Sequence, residues 1–407
     1  MKDSLAFEIV VVGAGPAGLA AACTASERAR SVAIVDDNPA PGGQIWRGEA
    51  RTPWIERARS SPVQLLTETQ VVASPGEPAL LAARGDRPVE IRYEKLILAT
   101  GARERFLPFP GWTRPNVLGA GGLQALVKGG MPIAGKRVIV AGSGPLLLAV
   151  AAYLRRQGAK IAMVAEQASR GAVLKFARTV ARSPSKLMQT LGLMRDLAGV
   201  PYRTGCWPVE AAQGEVKFRR GGRTWSEPCD YLACGFGLVP NTELAALLGC
   251  TSQDGFVAVD SRQQTTQPGV YCAGEPTGIG GAGLAIVEGR IAGYSATGRP
   301  DEARRLFAER DRGNRFRIKL QEAFRLRPEL AALARPETIV CRCEDVSFGR
   351  IAEHRGWQAI KMQTRCGMGP CQARICGPAV DFLLGIPADS VRPPIFPVPA
   401  GLLAEDL

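Results

Sequence analysis

Residues 8–25 read EIVVVGAGPAGLAAACTA and place a strand, a tight turn and a helix in one short segment. The apolar and mostly β-branched run at residues 8–12 predicts the strand, and the small residues after the turn predict the helix. Gly13 permits the turn, Gly15 lets the main chain approach a pyrophosphate, and Gly18 allows the helix to pack closely on the strand. The N-terminus of this helix then faces the phosphate charge.

The next predicted strand supplies the acidic residue that such a site uses. It covers residues 31–35 and leads into Asp36, where a carboxylate can accept hydrogen bonds from ribose hydroxyls. The strand, the turn, the helix and the acidic residue occur in the order that a Rossmann-type dinucleotide site requires. Together they predict such a site, and a chance run of glycines does not explain them.

A second unit of this kind occupies the middle of the chain. Residues 136–164 predict a strand, a glycine turn, a helix and another strand. Leu147 stands where the third glycine is expected, and Ala165 stands where the ribose-binding acid is expected, although Glu166 is adjacent. NAD(P)H, a tightly held NAD or ATP, and a purely structural role all remain open. The residues predicted to contact a nucleotide here are Gly142, Ser143, Gly144, Pro145 and Glu166.

A group of cysteines lies near the C-terminal end. Cys341 and Cys343 are separated by one residue, and Cys366 and Cys371 by four. Soft sulfur ligands in such close pairs suit zinc or an iron-sulfur cluster. Zinc sites favour two-residue spacers, which these pairs lack. Cys376 remains as a surplus thiol, and the other six of the eleven cysteines are scattered as small core residues would be.

Composition limits the classes of protein. With 407 residues and 46% hydrophobic content, the chain can bury a large core and predicts two or three domains. No apolar run approaches the about 20 residues that span a bilayer, and no secretion signal is recognisable, so we expect a cytoplasmic protein without a transmembrane segment. The net charge of +13 is concentrated in part at residues 304–327. Because no nucleic-acid motif accompanies it, we expect an acidic partner protein or an anionic membrane surface in place of nucleic acid.

Three further segments resemble thioredoxin-reductase-like flavoproteins. They are Pro41-Gly-Gly-Gln44, Leu96-Ile-Leu-Ala-Thr-Gly101 and Val270-Tyr-Cys-Ala-Gly-Glu275. The resemblance implies FAD in the first dinucleotide site and a nicotinamide nucleotide in the second. Glu275 replaces the aspartate that these flavoproteins usually place near the ribityl chain. The Cys-x-x-Cys pair of thioredoxin reductase does not occur in this sequence, so disulfide reduction of that kind is excluded.

The cysteine region resembles the ferredoxin-like domain of bacterioferritin-associated ferredoxin, and more closely its version in the α subunits of heteromeric amine and opine dehydrogenases. The matching runs are Val340-Cys-Arg-Cys-Glu-Asp345 and Thr364-Arg-Cys-Gly-Met-Gly-Pro-Cys-Gln372, and residues 42–47, 141–148 and 274–278 extend the resemblance over nearly the whole chain. Nopaline and octopine oxidases, D-hydroxyproline dehydrogenase and the cyanide-forming glycine dehydrogenase contain α subunits of this type. The cysteines that the resemblance implies as ligands of a 2Fe-2S cluster are Cys341, Cys343, Cys366 and Cys371.

The predicted fold class is α/β, a two-dinucleotide-binding, thioredoxin-reductase-like flavoprotein fold with a small C-terminal helical iron-sulfur domain. The predicted domains are a split FAD-binding domain at 1–112 and 235–300, a second nucleotide-binding domain at 113–234, a basic linker helix at 301–335, and a 2Fe-2S domain with an extended tail at 336–407. The residues that motif and resemblance assign to FAD are Gly13, Gly15, Pro16, Ala17, Gly18, Asp36, Asp37, Gly43, Gln44, Arg47, Val71, Thr100, Gly101, Gly274 and Glu275.

The expected function is electron transfer in a heteromeric flavin-dependent dehydrogenase for an amino acid or secondary amine, such as an opine or D-hydroxyproline. The resemblance implies a flavin-containing β subunit that carries the amine site, a small ferredoxin-like γ subunit, FMN at a subunit interface, and a protein or quinone as electron acceptor. No catalytic residue is assigned, and His354, the one histidine, is expected at the surface. Two alternatives stay open: a stand-alone NAD(P)H-dependent FAD and iron-sulfur reductase, and a non-enzymatic redox scaffold.

Overall fold

The computed structural model describes residues 3–49, 51–76 and 78–403. Its strands are β1 Asp3–Val12, β2 Val32–Val35, β3 Val63–Leu66, β4 Thr69–Gly76, β5 Ala79–Arg84, β6 Arg87–Leu98, β7 Ala102–Glu104, β8 Val117–Gly119, β9 Arg137–Gly142, β10 Lys160–Glu166, β11 Tyr202–Thr204, β12 Trp207–Ala212, β13 Glu215–Arg220, β14 Arg223–Pro228, β15 Tyr231–Gly235, β16 Leu238–Pro240, β17 Ser252–Gln253, β18 Phe256–Val257, β19 Val270–Cys272, β20 Ile339–Cys341 and β21 Val346–Ser347.

Its α-helices are α1 Pro16–Ala25, α2 Pro53–Ser60, α3 Ala120–Lys128, α4 Leu146–Arg156, α5 Arg170–Ala181, α6 Pro184–Asp196, α7 Glu243–Leu247, α8 Ala282–Ala296, α9 Pro300–Arg305, α10 Phe307–Ala323, α11 Phe348–Ala352, α12 Trp357–Thr364 and α13 Cys376–Leu384. Short 3-10 helices lie at Glu275–Thr277, Pro328–Ala332 and Ala400–Leu402. The chain divides into two compact units, one made of Met1–Arg103, Pro240–Arg317 and Ser390–Leu407, the other of Glu104–Val239 and Ile318–Asp389.

The first unit is built on a sheet with the strand order β3-β2-β1-β6-β5-β4. Strands β1, β2, β3 and β6 are parallel, whereas β4, β5 and β6 form an antiparallel meander. The long strand β6 pairs with β5 over residues 87–92 and then, in parallel, with β19 over residues 96–98. Residues 9–11 of β1 are fully buried, as expected for a parallel strand that is covered on both faces.

Helices α1 and α8 pack closely in this unit because glycines lie at their contact. A Cβ at Gly289 would overlap the carbonyl oxygen of Ala17, and a Cβ at Gly293 would lie 2.5 Å from the carbonyl oxygen of Ala21. Both helices consist largely of small, buried residues. Their close packing holds the N-terminus of α1 against the glycine turn that precedes it.

The C-terminal tail belongs to the first unit and packs on the β4–β5 hairpin. The N–H of Ile395 donates to the carbonyl oxygen of Val72 at 2.7 Å. Phe396, Val398 and Leu403 pack against the apolar face of the hairpin. The tail therefore contributes to the core of this unit.

The second unit contains another parallel sheet, with the order β11-β10-β9-β15-β8. Helix α4 packs on β9 and β10, and α5 and α6 form a helical hairpin between β10 and β11. A separate antiparallel sheet, β12-β13-β14, buries Trp207 and Phe218 in one core with Phe109. The repeated strand, glycine turn and helix that the sequence predicts are therefore present in each unit.

The cysteine region lies in the second unit and has its own small core. The antiparallel pair β20–β21 leads into α11, α12 and α13. Trp112 Nε1 donates to the carbonyl oxygen of Ile339 at 2.5 Å, which fastens β20 to the rest of the unit. The buried residues of this core are Val340, Cys341, Val346, Ile351, Trp357, Ile360, Cys366, Cys376, Ala379 and Val380.

The predicted linker at 301–335 contains most of α9, all of α10 and one 3-10 helix, and no residue of α10 is buried. The predicted domain boundaries stay a prediction. Among the residues that the structure describes, no helix combines the length and the apolar character that a membrane-spanning helix needs.

We expect Gly289→Ala to destabilise the first unit, because its methyl group would overlap the main chain of α1 at Ala17. Overpacking of this kind costs about 1–3 kcal/mol. Urea unfolding would measure the loss. Gly283→Ala in the same helix is the control, since the space around Gly283 is open and no destabilisation is expected there. Equal stability of the two variants would contradict the packing argument.

Candidate cofactor sites

The first glycine turn joins β1 to α1 and leaves space at Gly15. Gly13 has φ of +108°, and a Cβ there would overlap the carbonyl oxygen of Ala99. A Cβ at Gly18 would overlap the carbonyl oxygen of Gly13. At Gly15, in contrast, no described heavy atom outside its chain neighbours lies within 4 Å of the Cβ position. Helix α1 begins at Pro16 without a side-chain cap, so its first N–H groups are available to a phosphate.

The carboxylate of Asp36 stabilises this turn through hydrogen bonds. Its Oδ2 accepts the N–H of Ala14 at 2.6 Å, and its Oδ1 accepts the N–H of Asn38 at 2.8 Å. The neighbouring Asp37 is exposed, and its Oδ1 accepts the Asn38 side-chain amide at 2.8 Å. The acid predicted to bind a ribose therefore lies at the glycine turn.

The segment after β2 closes on the same turn. A Cβ on Gly43 would lie 3.0 Å from the Cα of Gly15. Arg47 donates from Nη2 to Gln44 Oε1 at 3.2 Å, while its buried Nε has no hydrogen-bond partner among the described residues. A buried donor without a partner costs free energy. An acceptor-rich ligand beside Gly15 would remove that cost.

Two glutamates flank the turn after β19, the buried Glu288 and the half-buried Glu275. The N–H of Gly274 donates to Glu288 Oε2 at 2.9 Å, and the N–H of Gly281 donates to Glu275 Oε1 at 2.9 Å. Within the described part of the chain, Glu275 Oε2 and Arg317 Nε are buried and have no hydrogen-bond partner. These polar atoms are further groups that a polar ligand would satisfy.

Burial raises the pKa of both Glu275 and Glu288 to about 7, against the opposing effect of main-chain N–H groups and the Arg317 guanidinium. Glu288 and Arg317 are hard to single out from the sequence, because a charged residue on a helix resembles a surface residue until the fold buries it, as at Glu288, or buries one of its polar atoms, as at Arg317. One signal was present, since Glu288 is the acidic residue inside the glycine- and alanine-rich helix α8.

Other residues predicted to contact FAD lie in the same unit. Thr100 Oγ1 donates to the carbonyl oxygen of Asn241 at 2.6 Å, and Asn241 Nδ2 donates to the carbonyl oxygen of Thr100 at 2.8 Å. Gly101 follows with φ of +70°. Val71 is buried in the core on one face of the sheet. The individual FAD contacts, including those of Pro16 and Ala17, stay predictions.

The second glycine turn joins β9 to α4, with Pro145 directly before the helix. Glu166 is fully buried and accepts the N–H of Gly144 at 2.7 Å and that of Ala168 at 2.8 Å. Burial raises the pKa of Glu166 to about 7, and these hydrogen bonds oppose the rise. The turn is therefore held by an acid in the same way as the first turn.

A distant segment of the chain binds this second turn. Ser143 Oγ donates to the carbonyl oxygen of Phe324 at 2.9 Å. Gln167 Nε2 donates to Ser143 Oγ at 2.9 Å and to the carbonyl oxygen of Arg325 at 3.2 Å. The Phe324 ring meets the Phe176 ring edge to face, with centroids 5.1 Å apart. The Ser143 and Gln167 side chains and the N–H of Gly144 are thus hydrogen-bonded within the protein itself.

Five cysteines converge in the C-terminal region. The Sγ atoms of Cys341, Cys366 and Cys376 lie within 4.8 Å of one another. Cys371 interacts with the side chains of both Cys343 and Cys376. The four cysteines predicted as ligands therefore come together, and the surplus thiol Cys376 lies among them. Sequence spacing alone did not reveal its place.

A cavity of about 350 Å³ adjoins these thiols. Cys366 is fully buried and is not one of the residues that line it. The residues that line the cavity are Phe106, Trp112, Cys341, Arg342, Cys343, Cys371, Ile375 and Cys376.

Interactions among these thiols favour the thiolate form of Cys341 and Cys371. Interactions with the Cys366 and Cys376 thiols lower the pKa of Cys341 to about 2, and interaction with the Cys376 thiol lowers the pKa of Cys371 to about 5. The same interactions raise the pKa of Cys366 to about 12 and also raise the pKa of Cys376. Metal ions bind thiolates in preference to thiols. The donor set therefore suits a metal that prefers sulfur ligands.

Two glycines of the run between Cys366 and Cys371 are required by packing. A Cβ at Gly369 would overlap the side chain of Cys343, and a Cβ at Gly367, where φ is +84°, would lie 2.7 Å from the Trp357 ring. This close approach keeps the loop against the first cysteine pair. The glycines are therefore part of what brings the thiols together.

A protein-family model described as pyridine nucleotide-disulphide oxidoreductase matches residues 7–296. The chain belongs to this family. An opine oxidase subunit of Rhizobium meliloti (strain 1021) is 33% identical, with 98% of each chain covered. The HcnB subunit of hydrogen cyanide synthase from Pseudomonas aeruginosa is 32% identical, with 90% of each chain covered.

Solved structures of low sequence identity share the fold of this oxidoreductase. L-proline dehydrogenase from P. horikoshii matches with a TM-score of 0.68 and 19% identity, over 99% of this chain and 80% of the other. Thioredoxin reductase from T. acidophilum matches with a TM-score of 0.57 and 20% identity, over 72% of this chain and 98% of the other.

These matches confirm the predicted α/β two-dinucleotide fold, the resemblance to the amine and opine dehydrogenase subunits, and an FAD-dependent oxidoreductase. The first site of this family member also fits FAD on its own geometry. The open space at Gly15 suits the pyrophosphate, and the buried atoms without partners on Arg47, Glu275 and Arg317 suit a polar ligand.

We expect Gly15→Val to give a folded protein that lacks FAD, because the space around Gly15 accepts a side chain but a pyrophosphate could not then approach the turn. Flavin absorbance per chain and far-UV circular dichroism would measure the two properties. Gly222→Val is the control, since the surroundings of Gly222 are also open, its φ is not in the left-handed region, and it lies on the β13–β14 turn. Full FAD content in Gly15→Val would contradict this location of the pyrophosphate.

We expect the free energy of unfolding to fall as pH rises from about 4.5 to about 7, because Glu288 has an ordinary pKa of 4.5 and a pKa of about 7 when folded. In that pH range the carboxyl group of Glu288 is protonated in the folded protein and ionised in the unfolded chain. Glu288→Gln keeps an acceptor for Gly274 and should reduce this fall by about 1–3 kcal/mol. Unfolding titrations at pH 5 and pH 7.5 would measure it. The exposed Glu309→Gln is the control, and identical pH dependence in all three proteins would contradict the assignment.

Proposed function

We propose that this chain is the electron-transfer α subunit of a heteromeric flavin-dependent dehydrogenase that oxidises an amino acid or secondary amine to an imine. The observation that carries the proposal is the presence, in one chain, of an FAD-type glycine turn and a cavity lined by four cysteines. Relatives that are named as subunits of opine oxidase and of hydrogen cyanide synthase support both the assembly and the class of substrate.

We propose that a 2Fe-2S cluster is bound by the cysteines that line the cavity, which are Cys341, Cys343, Cys371 and Cys376. Bound FAD supplies a two-electron acceptor, and a 2Fe-2S cluster supplies a one-electron carrier. Phe106 and Trp112 contribute aromatic surface to the lining of the cavity. The set that the family resemblance implies contains Cys366 in place of Cys376.

The first glycine turn would hold the FAD pyrophosphate through the N–H groups at the start of α1. Asp36 would accept hydrogen bonds from the ribose, and Arg47 would donate to an acceptor of the ligand. Glu275 has a free carboxylate oxygen for a ribityl hydroxyl. These residues would thus bind and orient the cofactor, and substrate oxidation would occur on a partner subunit.

The proposed partners are a flavin-containing β subunit with the amine site and a small ferredoxin-like γ subunit, with FMN at a subunit interface and a protein or quinone as the acceptor. The substrate would be an opine, D-hydroxyproline or a similar amine, with glycine as a further candidate. All eleven cysteines are free, which supports a reducing compartment such as the cytoplasm.

Anaerobic purification with whatever proteins remain bound should yield FAD, two irons and two sulfides per chain together with a flavin-containing partner. Flavin, iron, acid-labile sulfide and zinc analysis with mass spectrometry of each bound protein would measure this. Zinc without sulfide would contradict the cluster, and a chain that binds no partner would contradict the heteromeric assembly.

NADH should not bleach the flavin of the isolated chain, because Phe324 and Arg325 bind the second glycine turn. Stopped-flow absorbance under anaerobic conditions would measure it, with dithionite as the control for a reducible flavin. The isolated chain should also reduce no dye with an amino acid substrate. Rapid bleaching by stoichiometric NADH would overturn this view and favour the stand-alone reductase.

A further inference from the structure

The cysteine centre contains one thiol more than a 2Fe-2S cluster uses. Such a cluster binds four cysteine ligands, and five cysteines converge here. Cys366 and Cys376 are both fully or almost fully buried, and both contact the Sγ of Cys341. The question is therefore what the fifth thiol does.

The positions of the sulfurs separate the five thiols into two groups. In a tetrahedral site with metal–sulfur bonds of about 2.3 Å, two sulfurs on one metal lie about 3.8 Å apart. Cys341, Cys366 and Cys376 all lie within 4.8 Å of one another, so any two of them are close enough to share one iron. Cys343 and Cys371 interact with each other and form the more exposed pair.

One iron of the proposed cluster would bind the buried Cys341. Cys376 is better placed than Cys366 to be the second cysteine ligand of that iron. Cys376 lines the cavity together with Cys341, whereas Cys366 does not line it. Cys366 nevertheless lies within 4.8 Å of the Sγ of each of these residues. It is held there by the turn after α12, in which its N–H donates to Thr364 Oγ1 at 3.2 Å.

The ordinary role of a buried free cysteine is that of a small core residue. Cys229 in the same unit has this role, since it is buried in the apolar core around the second sheet. Cys366 differs from it because it contacts two other thiols beside a cavity. This difference calls for a role at the metal.

We propose that Cys366 is a reserve ligand, which binds the buried iron when Cys376 is not available. The inference rests on the proposed 2Fe-2S function of this centre. In the exchange, the bond between iron and the Cys376 sulfur is replaced by a bond to the Cys366 sulfur. The buried Cys366 thiol would pass its proton to the released Cys376 thiolate, whose sulfur lies within 4.8 Å, and no electron would be transferred.

The test uses alanine variants of the full chain, purified anaerobically. Wild type, Cys366→Ala, Cys376→Ala and the double variant are compared for iron, acid-labile sulfide and the electron paramagnetic resonance spectrum after dithionite reduction. Cys229→Ala is the matched control for loss of a buried thiol in the same unit. FAD content and far-UV circular dichroism report whether each variant folds.

We expect Cys366→Ala to match wild type, and Cys376→Ala to retain at least about half of the iron with an altered spectrum, whereas the double variant retains under about a tenth. A Cys376→Ala variant with as little iron as the double variant would overturn the reserve role. Wild-type protein without iron and sulfide would instead overturn the proposed cluster itself, and the two failures are thus distinguishable.

A serine pair keeps the test valid if the alanine variants do not fold. Cys376→Ser is compared with the same change combined with Cys366→Ser. If Cys366 is the replacement ligand, the visible and magnetic spectra of these two variants differ, because only one of them contains the reserve sulfur. Identical spectra would show that the serine oxygen or no residue replaces Cys376, and would overturn the proposal.

Discussion

The glycine turns at the candidate cofactor sites depend on buried carboxylates. Each turn has one such carboxylate, which accepts a hydrogen bond from a main-chain N–H of the turn. Glycine turns before helices leave N–H groups without helical partners, and a buried donor without a partner costs about 1–3 kcal/mol. The acids remove that cost and fix the shape of each turn. Burial in turn raises the pKa of Glu166 and Glu288. The pairs are Ala14 with Asp36, Gly144 with Glu166, and Gly274 with Glu288.

The two dinucleotide-type turns share this construction but differ in what surrounds them. The first leaves open space at Gly15 and has polar atoms without partners nearby, as at Arg47. The second has its serine, Ser143, bound to the main chain of Phe324. A similar local motif therefore has different surroundings in the two places, because the neighbouring chain binds a polar group of the second turn and leaves space at the first.

The cysteine centre depends on close packing between elements rather than on an acid. Its thiols come from the end of β20, the loop after α12 and the start of α13. Gly367 and Gly369 let that loop approach Trp357 and Cys343. Main-chain geometry thus brings sulfur atoms together that lie far apart along the chain, and the resulting donor set favours a metal over disulfide exchange.

The sequence by itself determined the features that depend on local geometry. The spacing of Gly13, Gly15 and Gly18 dictates a turn and a close helix, and the next strand leads into Asp36, so strand, turn, helix and acid could be predicted from one short segment. The Cys341–Cys343 pair likewise has little freedom to separate. The two-dinucleotide fold and the region of the metal centre followed from these short motifs.

Tertiary structure alone decided the contacts between distant residues. Ser143 and Phe324 are 181 residues apart in the chain, and no local pattern relates them. The burial of Glu288 and the place of Cys376 among the thiols depend on how helices α8 and α13 pack. Local motifs restrict a few backbone angles, whereas these contacts require the packing of whole elements, and that packing is a property of the complete core.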